Sequence, residues 1–411
     1  MEVPTPDAPD PGPTLPLSSL LTVIITTSPT PSAPTTDLIS SIIESFRTHC
    51  PDLAKVSVIV TFDTYDHIGP KNRLKRGTVT EEGARIFDQY KANVKELVLT
   101  SYAPSSSPHV FTTTTGQAEY GLYEQPLYTV PYTVTQTTDG QVTFIEPTQR
   151  LGFGLSVRTA LRIATTPYVW VHQHDWTLIS DIPLPSLLTI MTSSIPSSSS
   201  SSSSSLSTST ETPTAPPPPV QYICFPSVRM LRYHVSDHVT HFPALRALTT
   251  QLKRDFTIPS PSASGPASTV CLTPLFFWHD KPHLASRTHY LQRIFPGRLA
   301  LGRGEFIEDR VGQRARDQMK TGVWERWGCW LFYPDEGRRL VVRHLNGRIW
   351  RGAEGDRRRR EMLRGGEVTP EEATTPGESI SGGEGEMIVD GEPTLGEEEG
   401  VNGRGEVTDG E

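Results

Sequence analysis

The first 190 residues alternate between continuous apolar runs and amphipathic ones. Leu21 to Ser28, LTVIITTS, is β-branched and apolar throughout and is closed by Pro29, the pattern of a strand buried on both faces. In TTDLISSIIESFRTHCP, Thr36 or Asp37 can cap a helix, Leu38, Ile42, Ile43 and Phe46 share one face, and Pro51 ends it. Lys55 to Asp63, KVSVIVTFD, is a second buried strand, so the unit reads as a parallel strand pair with a right-handed crossover. A helix is expected over Thr80 to Asn93, with Glu81 and Glu82 near its positive end. VKELVLT and Val142 to Pro147 read as further strands, separated by a Thr/Tyr-rich stretch that the pattern does not place. A helix over Gly154 to Ala164, entered through Gly152 and Gly154, then feeds YVWVHQHD.

The second half continues the alternation. VQYICFPSV reads as a strand and HFPALRALTTQLKRDF as a helix. TVCLTPLFFWHDKPHLASRTHYLQRIF pairs a strand with a helix whose start is marked by Pro282, and FIEDRVGQRARDQMKTG is a helix with acid at its head. LFYPDEGRRLVVRHLNGRIW reads as a hairpin, two short strands followed by a tight turn at Asn346-Gly347. Repeated β-α alternation with continuous apolar strands predicts an α/β fold, an open sheet covered on both faces.

Composition narrows the folded part. A Pro-rich arm at 1–18, a Ser/Thr/Pro run at 193–219 and a Gly/Glu-rich tail at 353–411 contain too little apolar surface to offset ordering entropy and are expected to be disordered. One domain over 19–352, interrupted by the Ser-rich loop, remains. The tail has 17 acidic and 6 basic side chains, a net of −11, so the rest carries about +3 of the chain's −8. That mild positive charge suits a small anionic ligand and is too weak for nucleic acid. Cys50, Cys224, Cys271 and Cys329 form no C-x-x-C pair, which argues against a zinc ribbon or a disulfide scaffold. No apolar run reaches the length of a membrane span and no signal peptide is seen, so a cytoplasmic location is expected.

In open α/β sheets ligands bind at the carboxyl ends of the strands. Here those ends carry Thr26-Thr27-Ser28, Asp63 and Gln173-His174-Asp175. A nucleotide would use Asp63 and backbone groups for its base and ribose, and a cation bridged to Asp175 for its diphosphate. Asp175 also has the plain reading of a turn cap. His172 and His174 alternate on a strand and are expected on one side, lining a pocket or packing. H-x-H followed by Asp raises zinc hydrolysis as a further alternative, although the Asp follows immediately and Trp176 replaces the next His. Trp324, Trp327 and Trp330, spaced by three, are read as core packing or as a sugar-stacking platform.

The order of these features resembles the GT-A fold glycosyltransferases, most nearly the inverting family-2 type. RLGFGLSVRTALRIATTPYVWVHQHD occupies the place of the family's Ala-Arg-Asn, Ala-x-Gly-x-Tyr and Asp-x-Asp stretches, with Ala164, Tyr168 and Asp175 in step and Arg158 within one residue of the family arginine. Glu308-Asp309 matches a Glu-Asp at a helix start, and Arg326-Trp327 an Arg-Trp. The chain departs from the pattern at Gln173, which replaces the first acid, at Thr159, which replaces the Asn, and at Val323, which replaces the Gln of processive enzymes.

The resemblance implies a Rossmann-like, mixed, mostly parallel sheet flanked by helices. It also implies transfer of a sugar from a nucleotide-diphosphate sugar to a glycan, protein or small-molecule hydroxyl, with manganese or magnesium. Asp175 and His344 would hold the metal. Thr26, Thr27, Asp63, Arg158, Gln173, His174 and Trp327 would bind the donor, and Asp309, with Glu308 and Arg316, would carry the chemistry. A non-catalytic nucleotide-sugar-binding protein on the same fold is the alternative from a different class.

Overall fold

A computed structural model describes residues 15–105, 107–121, 128–194, 218–258, 268–297, 301–350, 352, 354, 355, 357 and 358. Almost all of the arm, the Ser-rich run and the acidic tail lies outside the described residues.

In the first half, β1 (Leu21–Thr27), α1 (Asp37–His49) and β2 (Ser57–Phe62) form the expected unit, followed by α2 (Glu81–Tyr102). A pair of long strands, β3 (Phe111–Tyr120) and β4 (Tyr128–Thr137), leads into β5 (Val142–Pro147). Then come α3 (Phe153–Ile163), β6 (Tyr168–Gln173), β7 (Trp176–Leu178) and α4 (Leu184–Ser193). The second half consists of β8 (Tyr222–Cys224), α5 (Pro243–Leu252), β9 (Arg254–Ile258), β10 (Ser268–Pro274) and β11 (His283–Ser286). It ends with α6 (Gln313–Lys320), entered through a π-helical turn at Glu308–Gly312, and with β12 (Cys329–Phe332) and β13 (Val342–His344).

Eleven strands form one sheet in the order β9-β10-β12-β8-β11-β6-β1-β2-β5-β4-β3. Eight run one way and only β4, β10 and β11 oppose them. The fold is therefore α/β, with a mixed and mostly parallel sheet flanked by helices. Every residue of β1 is buried, as a central strand covered on both faces requires. Strand order reverses at β1, whose neighbours are β2 and β6, and the register sets Thr26 opposite Thr61 on one side and Gln173 on the other. That reversal opens a crevice at the carboxyl edge.

Three readings of the pattern are corrected and one unplaced stretch is resolved. VKELVLT lies in the second half of α2: Val94 and Val98 continue, with Tyr102, the buried face of Phe87 and Tyr90 at helical spacing, which extends the expected helix to Tyr102. The unplaced Thr/Tyr-rich stretch holds β3 and β4, paired antiparallel from Phe111↔Thr137 to Tyr120↔Tyr128. Pro282 precedes a strand, β11, which inserts antiparallel between β8 and β6; the helical turn starts after Ser286, whose hydroxyl caps it. The C-terminal stretch is no hairpin, because β12 joins the large sheet while β13 pairs with β7, His344 opposite Trp176.

Candidate active site

A cleft opens at the crevice beside β1. Thr26, Thr27, Asp63, Gln173, His174 and Asp175 all line it, so six of the site residues expected from sequence converge there. Arg150 and Gly152 from the loop before α3, Phe153 and Ser156 from its first turns, and Gly304 and Phe306 form the facing wall. Those two segments touch through glycine. Gly152 and Gly304 both have positive φ, and a Cβ on Gly152 would stand 2.4 Å from the Gly304 Cα. The enclosed volume is about 120 Å³.

Asp175 follows β6 by two residues and is held from the opposite side by β13. Its carbonyl accepts from Leu345 N at 2.6 Å, and its Oδ2 is 3.0 Å from His344 Nε2. Gly347 closes over it so tightly that a Cβ there would meet the Asp175 Cβ at 2.8 Å. Burial opposes ionisation of Asp175, but the His344 hydrogen bond, the His174 and His344 charges and the Gly347 amide outweigh it and hold the carboxyl down at about 2. Oδ1 is buried and makes no hydrogen bond of normal geometry among the described residues. An ionised oxygen of this kind suits a hard divalent cation, which needs only one or two protein carboxylates when phosphate oxygens complete its shell. Among the described residues, no three His, Cys, Asp or Glu side chains gather as a closed metal site. His344 stands beside Asp175 with Nε2 on its carboxylate and Nδ1 3.0 Å from Asn346 Oδ1.

Asp63 ends β2 and is almost wholly buried. Its two oxygens accept from Leu151 N at 2.6 Å and from Gly152 N at 3.0 Å, clamping the entry to α3. Burial dominates and pushes its carboxyl up to about 6, against the lowering pull of those amides and of Arg150. Thr27 Oγ1 is 2.7 Å from Tyr90 OH, and the Thr26 carbonyl accepts from His174 N. His174 Nδ1 lies 3.2 Å from Ser28 N. His172 does not reach the cleft: it is fully buried, with Nδ1 toward Trp170 Nε1 and Nε2 toward the Trp176 carbonyl. The pair expected on one pocket side is thus split between core and cleft, which leaves the zinc reading without its second imidazole.

Glu308 and Asp309 sit on the π-helical turn. They do not line the cleft, but hydrogen bonds connect Glu308 to it: Glu308 Oε2 accepts from Asp280 N at 3.2 Å, and the Asp280 carbonyl accepts from Gln173 Nε2 at 3.0 Å. For Glu308 burial works upward, and the His279 hydrogen bond and charge, the Asp280 amide and the Lys281 charge together outweigh it and lower the carboxyl. Asp309 is exposed at the surface, and its carboxyl is raised by partial desolvation and then by the charges of Glu308 and Glu305.

Three expected residues lie away from the cleft. Arg158 is buried in α3 with its guanidinium 6.0 Å from the Phe295 ring. Arg316 pairs with Asp317 on α6. Trp327 is core, its Nε1 donating to Gln318 Oε1 and its ring under Arg293. Trp324 and Trp330 are equally buried, so the spacing of three reflects packing. The cation that does line the cleft is Arg150, which the sequence reading passed over. Its Nη1 lies 4.0 Å from Asp66, a carboxylate also bound by Arg303 at 2.6 Å.

No family model and no curated protein sequence matches the chain. Among solved structures, S. aureus TarS is similar over 43% of this chain and 20% of its own, at 10% identity and a TM-score of 0.21. The mannosyltransferase PcManGT from Pyrobaculum calidifontis, in complex with GDP-Man and Mn²⁺, is similar over 82% of this chain and 62% of its own, at 14% identity and a TM-score of 0.33. The chain therefore spans a fifth of the first and under two thirds of the second. Neither likeness carries a residue assignment to this chain.

Proposed function

We propose that the protein is a glycosyltransferase that binds a nucleotide-diphosphate sugar in the cleft beside β1 and passes the sugar to an acceptor hydroxyl with inversion. Asp175 carries this reading: a carboxylate held ionised, lining the crevice of an α/β sheet, with one oxygen that makes no hydrogen bond among the described residues. Manganese or magnesium held by Asp175, with His344 behind it, would supply positive charge beside the departing diphosphate.

The chain's own residues do the rest. Arg150 faces the same cleft and adds a second positive charge for the leaving group. Asp63 acts through the loop it clamps at Leu151 and Gly152, holding Gly152 in the wall on which the nucleoside lies. The enclosed volume falls below the roughly 300–1,000 Å³ of ordinary ligand pockets, so part of the donor lies along the open side. Asp309 takes the proton of the acceptor hydroxyl. The acceptor oxygen bonds to the anomeric carbon as the carbon–oxygen bond to phosphate breaks, and that electron pair leaves on the nucleoside diphosphate. Partial desolvation and two neighbouring carboxylates raise Asp309, the direction a base needs.

A second reading is favoured by Gln173, which puts an amide where a second acid would strengthen metal binding. On that reading the protein binds the nucleotide sugar and does not turn it over. A panel of UDP- and GDP-sugars, assayed for nucleotide release with and without Mn²⁺ and for the anomeric configuration of the product by NMR, separates the two. Metal-dependent release with an inverted product is expected; nucleotide binding without release identifies the binding protein.

A further inference from the structure

We propose that Asp280 is a positioning residue that fixes the Glu308-Asp309 turn against the end of β6, so that the base keeps a set place relative to the donor cleft. This rests on the transferase reading above. Asp280 is only 3% exposed. Its Oδ2 accepts from Ile307 N at 3.0 Å and from Glu308 N at 3.3 Å, amide groups that a helix starting here leaves without intrahelical partners. Glu308 reaches back, its Oε2 accepting from Asp280 N. The exchange has the reciprocity of a capping box, but it joins segments 28 residues apart.

A cap alone would end there. The Asp280 carbonyl also accepts from Gln173 Nε2, and Gln173 lines the cleft two residues before Asp175. One residue therefore bonds to the strand end that bears the donor site and to the turn that bears the base. Burial, and then the Glu308 charge, hold the Asp280 carboxyl well above its usual range. A neutral carboxyl still accepts two N–H groups, so acceptance rather than charge is what Asp280 contributes.

The test uses the full chain, Mn²⁺ and whichever UDP- or GDP-sugar the wild type cleaves. Asp280→Ala is expected to lower kcat about 100-fold, the scale on which a displacement of about 1 Å acts, with the donor KM changed by less than about threefold. Asp280→Asn keeps an acceptor oxygen and is expected to restore kcat to within about threefold of wild type. An unchanged kcat in Asp280→Ala overturns the proposal, as does a loss in Asp280→Asn as deep as in the alanine variant. Should Asp280→Ala fail to fold, Asp280→Ser, with one shorter acceptor, is read in its place and is expected to fall between.

Amide hydrogen exchange keeps the two readings apart. Without wild-type turnover the transferase reading fails, and the Asp280 assignment is judged on exchange alone. Faster exchange at 307–308 together with 173–175 in Asp280→Ala, or in Asp280→Ser if that variant replaces it, supports the link. Faster exchange confined to 307–308, or no change at all, overturns it.

Discussion

Asp63 and Asp175 stand at the same edge of the sheet on either side of β1, and their surroundings treat them in opposite ways. Asp63 has both oxygens taken by backbone amides and is still raised to about 6, because burial dominates. Asp175 is partly buried, yet the His344 hydrogen bond, the His174 and His344 charges and the Gly347 amide bring it down to about 2, and Oδ1 makes no hydrogen bond among the described residues. Burial alone therefore does not mark a functional acid. What distinguishes Asp175 is charge compensation from one side and an unsatisfied oxygen on the other, an arrangement that suits a ligand; Asp63 is turned inward to hold a loop.

The largest effect that would sharpen the contrast comes from a third aspartate. Asp309→Asn is expected to lower transfer about 10²–10⁴-fold with donor binding retained, read by nucleotide release beside calorimetry. Asp175→Asn should reduce metal-dependent release about 10²–10³-fold and weaken nucleotide binding in Mn²⁺, a double loss that Asp309→Asn does not share.

Stability against pH separates Asp63 from Asp175 without any substrate. The folded Asp63 is raised from 3.8 to about 6, so its contribution is fully present below pH 4 and is lost as pH rises to 6, a fall of about 3 kcal/mol in the wild type that is absent from Asp63→Asn. Asp175 is lowered from 3.8 to about 2, so its contribution is present above pH 4 and is lost as pH falls toward 2, about 2 kcal/mol that Asp175→Asn lacks. Urea unfolding over pH 2–7 reads both; matching slopes for the two variants would break the comparison. The smallest effect belongs to Arg316→Ala, which lies off the cleft and should change turnover by less than about threefold.

The central strands were legible because burial on both faces leaves an uninterrupted apolar run, as in β1, β2 and β6. Segments with mixed signals misled. In VKELVLT the apolar residues satisfy both a short strand and the last turns of a helix, and only Val94, Val98 and Tyr102 facing the core settle it. β3 opens with exposed Phe111 and four exposed threonines, so its edge position left no hydrophobic alternation to read. In the site, residues at strand ends were found because the sheet's geometry sends them there. Arg150 escaped because it lies on a loop whose place depends on contacts far along the chain, with Gly304 and through Asp66 with Arg303. Trp327 and Arg158 went the other way: their types suggested ligand contact and packing absorbed them.

The most direct measurement of the central claim is calorimetric titration of UDP and GDP into wild type and Asp175→Asn, each with Mn²⁺ and with chelator. Binding of one nucleotide is expected that Mn²⁺ strengthens at least tenfold, about 1.4 kcal/mol, in the wild type and leaves unchanged in the variant. Binding that ignores Mn²⁺ in both proteins, or that Mn²⁺ strengthens equally in both, would contradict it.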